Sequence, residues 1–296
     1  MRNPRPVPPE LAEGPFSRRA AIELVTDSQL AGSAYRRLLR GAHAPADLVV
    51  THGELIRAAR TVLPPEAVLG GRSALWAYGI ELASAVEPVE LILPKDDRTR
   101  ARAELTMRGD LLRPDEIVET RFGPATSPAR TAFDLGRRGG LRTSVPLLDA
   151  LAHRTSVTPD QTLAVARAHR GARNCRRLPA AVALMDARAE SVEESLLRII
   201  ILEAGIPAPV TQHVIRDRFG RFVARVDLAW PDLRLALEYD GAHHDDPAQI
   251  IADRKRLNAI HACGWTSLVI DRHQFREEPR LLAQLHAMRA SAARRV

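Results

Sequence analysis

Two runs with period-2 alternation, Phe222-Val-Ala-Arg-Val-Asp-Leu-Ala-Trp230 and Arg234-Leu-Ala-Leu-Glu-Tyr-Asp240, are separated only by Pro231-Asp232-Leu233. That spacing reads as a β-hairpin and puts a sheet near the end of the chain. Successive side chains of a strand point to opposite faces. In the second run Leu235, Leu237 and Tyr239 take one face and leave Glu238 and Asp240 on the other; in the first, Asp227 is opposite in parity to Val226 and Leu228. Three carboxylates are therefore expected on one face of one hairpin.

Acidic residues are depleted in strands, and three side by side repel one another unless a cation compensates. Mg²⁺ is a hard cation held by one or two carboxylates together with phosphate oxygens and water. The pattern suits metal-assisted phosphodiester hydrolysis, in which the ion polarises the phosphoryl oxygen and acidifies the attacking water. The plain alternative is a polar face turned to solvent.

The flanking residues fit a site of that kind. Ser191-Val-Glu-Glu-Ser-Leu-Leu-Arg-Ile-Ile-Ile-Leu-Glu-Ala-Gly205 reads as a helix with Ser191 as N-cap, Glu194 completing a capping box and Gly205 as the stop. Glu194 is either only that cap or a further site acid. After Asp240, Gly241-Ala-His-His244 sets two imidazoles beyond the strand end, as candidate bases or as loop residues. A helix over Pro247–His261 carries Asp253, Arg254, Lys255 and Arg256, either a solvated face or a grip on phosphate. Gly264–Asp271 reads as a buried strand and Glu278–Arg289 as a closing helix.

Upstream the order is different. Residues 1–14 read as a loose tail. Residues 15–60 are helical, with Ser17–Val25 and Asp27–Arg40 as two short helices that form either a helix-turn-helix or an ordinary pair. Residues 61–188 read as an α+β region. A helix at His52–Ala59 precedes it; within it Arg72–Tyr78 leads to a strand at Pro88–Pro94, and helices follow at Thr126–Leu135, Val145–His153, Pro159–Ala168 and Leu178–Ala189. Arg130 and Asp134, four apart, read as a structural ion pair.

Charge does not locate the chemistry. The 296 residues carry a formal net charge of +7, and residues 121–190, with 12 Lys/Arg against 5 Asp/Glu, hold the whole surplus. Those arginines form a candidate phosphate-binding face. Cys175 and Cys263 stand alone, which excludes a disulfide framework. No apolar run approaches the roughly 18 residues of a membrane span, and the Pro-rich start lacks a signal peptide's hydrophobic region. The expected location is cytoplasmic.

Taken together, Glu194 on a helix, Asp227 on a strand, Glu238-x-Asp240-Gly-x-x-His244, Asp253-Arg254 on a basic helix and Gly264-Trp265 opening a strand resemble the very-short-patch-repair endonuclease-like group of the PD-(D/E)XK nuclease superfamily. The likeness runs from Glu190 to about Met288, within a domain expected over residues 189–292. It implies a restriction-endonuclease-like domain with a central mixed sheet flanked by helices, an overall α/β (α+β) fold, and Mg²⁺ or Mn²⁺ held by Asp227 and Glu238. It also implies that Asp240, His244 and Glu194 complete the site and that Arg254, Lys255 and Arg256 meet DNA. Asp240 stands where the superfamily has lysine. Very-short-patch endonucleases also lack that lysine and use nearby histidines; Lys255 is a second replacement, and lost catalysis a third reading. Upstream, Gly71-Arg-Ser-Ala-Leu-Trp-Ala-Tyr-Gly79 and Thr126-Ser-Pro-Ala-Arg-Thr-Ala-Phe-Asp-Leu135 resemble AbiEi-type antitoxin and transcriptional-regulator domains, which implies recognition of DNA or of a toxin or operon partner. The competing expectation is a non-catalytic DNA-binding regulator that keeps a nuclease fold.

Overall fold

The structure, a computed structural model, describes residues 6–94, 103–241 and 247–295. It is an α+β protein of two compact units, one within residues 1–137 and 154–176, the other within 138–153 and 177–296.

In the first unit α1 (Pro9–Ala12), β1 (Phe16–Ser17), α2 (Arg18–Ala21) and α3 (Asp27–Leu30) lead into a hairpin of β2 (Tyr35–Leu39) and β3 (Ala42–Pro45), with β1 on the far side of β3. Ser17 and Thr26 cap the two helices by accepting from the Ala20 and Gln29 amides at 3.2 and 3.3 Å. The expected helix over Asp27–Arg40 is corrected: it ends at Leu30, and Tyr35–Leu39 is a strand. Gly41, at φ +88°, turns the chain back and gives that segment a ladder partner in residues 42–45.

There follow α4 (His52–Arg60), β4 (Val68–Leu69), α5 (Gly71–Ala77), β5 (Val89–Leu93), β6 (Leu105–Gly109), β7 (Ile117–Thr120) and β8 (Gly123–Thr126). The strands make a mixed sheet in the order β6-β5-β4-β8-β7. Leu55 and Ile56 of α4 and Trp76 of α5 share its core with Leu69, Val89 and Leu91. α5 starts at Gly71, at φ +51°, where a Cβ would collide with the Glu90 carboxylate. α6 (Pro128–Arg138) is followed by α7 (Leu141–Thr155), most of which belongs to the second unit, and by α8 (Pro159–Ala168), which returns to the first.

The second unit continues with α9 (Leu178–Ala183), α10 (Val192–Glu203), β9 (Val210–Arg216), β10 (Phe222–Trp230), β11 (Leu235–Asp240), α11 (Pro247–Ala262), β12 (Thr266–Asp271), α12 (Arg272–Arg276) and α13 (Glu278–Ala293). α9 stops short of the expected Ala189, where the Asp186 amide turns to the Asp149 carboxylate at 2.7 Å. The sheet runs β12-β11-β10-β9, antiparallel except for the β11–β12 pair, which α11 connects. Leu228, Trp230, Leu235 and Leu237 pack on one face with Leu197 and Ile201 of α10 and Leu281 and Leu285 of α13; Ala224, Val226, Ala229 and Ala236 pack on the other with Ile260 of α11. A fully buried leucine of this kind contributes roughly 1.5–3 kcal/mol. Among the described residues no helix is long and apolar enough to cross a membrane.

Candidate active site

The expected carboxylates are placed by a break in the β10 pattern. Val226 packs on the α11 side and Leu228 on the α10 side, so the alternation reverses at Asp227. On β9 the ladder pairs Val226 with His213 and Leu228 with Thr211 but skips Gln212, which takes φ +52°. An irregularity of this kind re-aims a side chain. Asp227 Oδ2 accepts the Tyr239 amide at 2.8 Å, in the place a strand carbonyl would fill.

α10 brings Glu194 to the same place. Its amide donates to Ser191 Oγ at 3.1 Å, as an N-cap requires. The expected capping box is corrected, because Glu194 Oε2 instead accepts from the Glu190 amide at 3.1 Å and from Gln212 Nε2 at 2.8 Å. Gln212 thus ties the displaced strand to the helix acid, a role that β9's sequence does not advertise.

Glu238 is 9% exposed and faces α11, where Arg256 donates to its Oε2. The same guanidinium donates to the Arg225 carbonyl at 2.7 Å. Glu238 Oε1 is buried without a hydrogen-bond partner among the described residues. A cleft of about 350 Å³ opens there, lined in part by Glu238, Asp240, Asp253 and Arg256.

Burial drives the Asp227 carboxyl up to about 6; the Tyr239 N–H opposes that rise, Glu194 and Glu238 add to it, and Arg256 reduces it. Asp227 thus feels the charges of two other acids, Glu194 and Glu238, and of one guanidinium, Arg256.

The expected convergence of Asp227, Glu238 and Asp240 is corrected in its geometry. Among the described residues no set of three His, Cys, Asp or Glu is gathered closely enough to hold a metal ion. Asp227 is turned into the gap between strands, and Asp240 is exposed at the strand end, level with Asp271. Asp227 and Glu238 nevertheless fit a divalent cation by their chemistry: burial, with Glu194 and Glu238 adding to it, drives the first towards its protonated form, and the second keeps a buried oxygen without a partner among the described residues. His244, with His243, lies outside the described residues.

The basic triplet divides. Arg254 and Lys255 are exposed, whereas Arg256 is turned into the site. The cation that meets Glu238 is therefore Arg256, while Lys255 is exposed on α11. The signal was available in the three-residue spacing of Asp253 and Arg256, which puts both on one helix face. The arginine surplus of residues 121–190 also divides. Arg130, Arg137, Arg142 and Arg188 are engaged in ion pairs, while Arg167, Arg170, Arg173 and Arg176 are exposed.

No family model matches the chain. Two curated Mycobacterium tuberculosis relatives, uncharacterized protein Rv2248 of strain H37Rv and uncharacterized protein MT2308 of strain CDC 1551, are each 30% identical to it over 229 residues, 77% of this chain and 82% of theirs. Among solved structures, the Rv2827c protein of Mycobacterium tuberculosis matches with a TM-score of 0.38 and 15% identity, over 60% of this chain and 69% of that one.

Proposed function

The chain belongs to the same family as these two mycobacterial proteins, and for it we propose a cytoplasmic, Mg²⁺-dependent DNA endonuclease, with phosphodiester hydrolysis in the second unit by a site of the very-short-patch-repair kind. The observation that carries the reading is the half-satisfied acid pair: Glu238 Oε1, on a residue lining the cleft, is buried without a partner among the described residues, and the nearby Asp227 carboxyl is driven up to about 6. Strongly perturbed carboxyls with specific charged neighbours mark candidate functional sites. When bound, Mg²⁺ or Mn²⁺ would supply Lewis acidity to the scissile phosphate and a more acidic water.

Asp227 and Glu238 would hold the ion. Glu194 fixes Gln212 and, through it, the irregular part of β9 that runs beside Asp227 of β10. Arg256, on α11 beside Glu238, would supply a permanent positive charge suited to stabilising charge on the phosphate as it develops. Asp240 lies at the cleft rim, with His244 three residues beyond Gly241 in the sequence, and Arg254 and Lys255 offer exposed contacts to the DNA backbone.

The test is incubation of the full chain with plasmid and with mismatched duplex, with and without Mg²⁺ or Mn²⁺, beside Asp227→Asn. Nicking that needs metal and vanishes in the variant is the expected result. Intact DNA at every metal concentration overturns the reading.

A second reading has its own observation. α2 and α3 followed by the β2–β3 hairpin give the element order of a winged helix, and Arg36 and Arg37 are exposed on the wing. That supports DNA recognition by the first unit, in a regulator of AbiEi type with a toxin or operon partner. A mobility shift that persists in Asp227→Asn without any cleavage favours it.

A further inference from the structure

We propose that the second unit carries a separate binding site for single-stranded DNA, in the cleft between the β9–β10 turn and the α11–β12 junction. The cleft measures about 660 Å³, and Arg216, Arg218, Phe219, Arg234 and Trp265 line it. It goes beyond the metal-dependent chemistry, since none of the acids of that site lines it.

The bent hairpin makes the cleft. The pairing of β10 with β9 slips between Phe222 and Ala224, and Ala224, Val226 and Ile215 pack against Ile260 of α11. The turn at residues 217–220 therefore lies alongside Ala262–Trp265 and forms one wall of the cleft. On the other wall Arg234 takes φ +47° and its guanidinium lies against Gly264, where an added Cβ would sit 3.0 Å from Nη1. Glycine at that junction, itself at φ +79°, leaves room for the arginine at the rim.

Charge and shape both select the ligand. Arg216 donates to the Gly220 carbonyl at 3.0 Å, and among the described residues no carboxylate pairs with Arg216, Arg218 or Arg234. The one acid in the lining, Asp217, is engaged by Arg221 at 2.8 Å and by the amides of Phe219 and Arg221. The three arginines thus face a negative ligand without internal competition.

Phe219 is 65% exposed, an unusual place for a large apolar ring. The Arg218 and Arg221 guanidinium carbons stand 4.7 and 5.0 Å from its centroid, and the Trp265 ring lies 5.2 Å from that of His213, tilted by 34°. Planar guanidinium and aromatic groups beside unpaired arginines are the usual means of holding an unstacked base together with its phosphates. Duplex DNA hides its base faces, so a concave aromatic cleft favours a single strand. The DNA reading of the metal site enters only in the choice of deoxyribose.

The experiment is fluorescence polarisation of a labelled oligo-dT 12-mer with the full chain in EDTA, which makes the outcome independent of cleavage. Tighter binding of oligo-dT than of a duplex of equal length is expected. Phe219→Ala, at an exposed position, should weaken it roughly tenfold, with an unchanged melting temperature. Arg218→Ala/Arg234→Ala should reduce the salt slope by about 1.4, at roughly 0.7 per lost contact. Wild-type affinity in these variants, or duplex bound as tightly as oligo-dT, overturns the site; tighter binding of oligo-rU overturns the choice of DNA. Failure of nicking in Mg²⁺ leaves this result untouched.

Discussion

Each unit sets a guanidinium against buried acids, Arg130 in the first and Arg256 in the second, and the two clusters are finished differently. In the first unit Arg130, fully buried, spends Nε on Asp134 at 3.1 Å, Nη1 on Glu116 at 3.0 Å and Nη2 on Asp110 at 2.5 Å. The second oxygens are also taken: His169 Nε2 meets Glu116 Oε1 at 2.5 Å, and Arg137 meets Asp134 Oδ1 at 2.7 Å. Burial works against the Arg130 charge, but Asp134, Asp110 and Glu116 outweigh it and hold the guanidinium above its ordinary value. In the second unit Arg256 satisfies one oxygen of Glu238, leaves the other buried and unpartnered, and only partly offsets the rise of Asp227. The first cluster is closed by its own side chains; the second leaves one carboxylate oxygen without a partner among the described residues.

The comparison breaks first at Arg130. Arg130→Met leaves three acids facing one another inside the unit, and breaking a buried pair costs about 3–5 kcal/mol. Thermal and urea melts of the full chain should show the first unit unfolding far earlier than in the wild type. A melt within a degree of wild type would remove the distinction between the clusters.

Arg256→Ala should cost less, about 1–2 kcal/mol, because the side chain is 38% exposed and water can partly replace it. Here a divalent ion offers a substitute that Arg130 lacks. Mg²⁺ should restore most of the lost melting temperature in Arg256→Ala and none in Arg130→Met. Equal rescue of both, or of neither, contradicts an open second cluster.

Asp227→Asn should move stability the other way. A carboxyl at about 6 when folded, against an ordinary 3.8, binds its proton more tightly in the folded chain. Wild-type stability therefore falls as pH rises from about 4 to about 6, and the penalty is in full force above that. At pH 7 the variant should be more stable by about 1–2 kcal/mol, with the difference gone below pH 4. The same linkage predicts that Mg²⁺ at ten times its dissociation constant stabilises the wild type by about 1.4 kcal/mol at pH 7.5, less at pH 5 and not at all in the variant. Melting curves across that pH range check all three.

What the sequence made legible follows the range of the forces involved. Ser191 capping α10, Gly205 at φ +72° ending it, and the Phe222–Asp240 hairpin depend on neighbours in the chain, and each stands where local pattern put it. Tyr35–Leu39 carries helical spacing and becomes a strand only because residues 42–45 fold back onto it. The reversal at Asp227 is of the same kind. Strict alternation put Asp227 with Glu238 and Asp240, but a positive φ at Gln212, on another strand, and a bond from the Tyr239 amide decide where its carboxylate goes. The acids could be named from sequence, whereas their geometry depends on long-range packing.

The smallest expected effect separates two arginines two residues apart. Arg254 and Arg256 share a helix, a charge and a sequence context, and differ in face: Arg254 is exposed, while Arg256 reaches Glu238 and the Arg225 carbonyl. Arg254→Ala removes no described ion pair, so its stability should stay within about 0.5 kcal/mol of wild type. If Arg254 touches only phosphate, duplex binding should weaken equally for all sequences and the salt slope should fall by about 0.9, the signature of one lost contact. Cleavage at saturating DNA should then keep its rate in Arg254→Ala and fall in Arg256→Ala, since only the second residue stands beside the acids. Loss of rate without loss of affinity in Arg254→Ala would place that side chain in the chemistry and make the division of the helix into a binding face and a reacting face untenable.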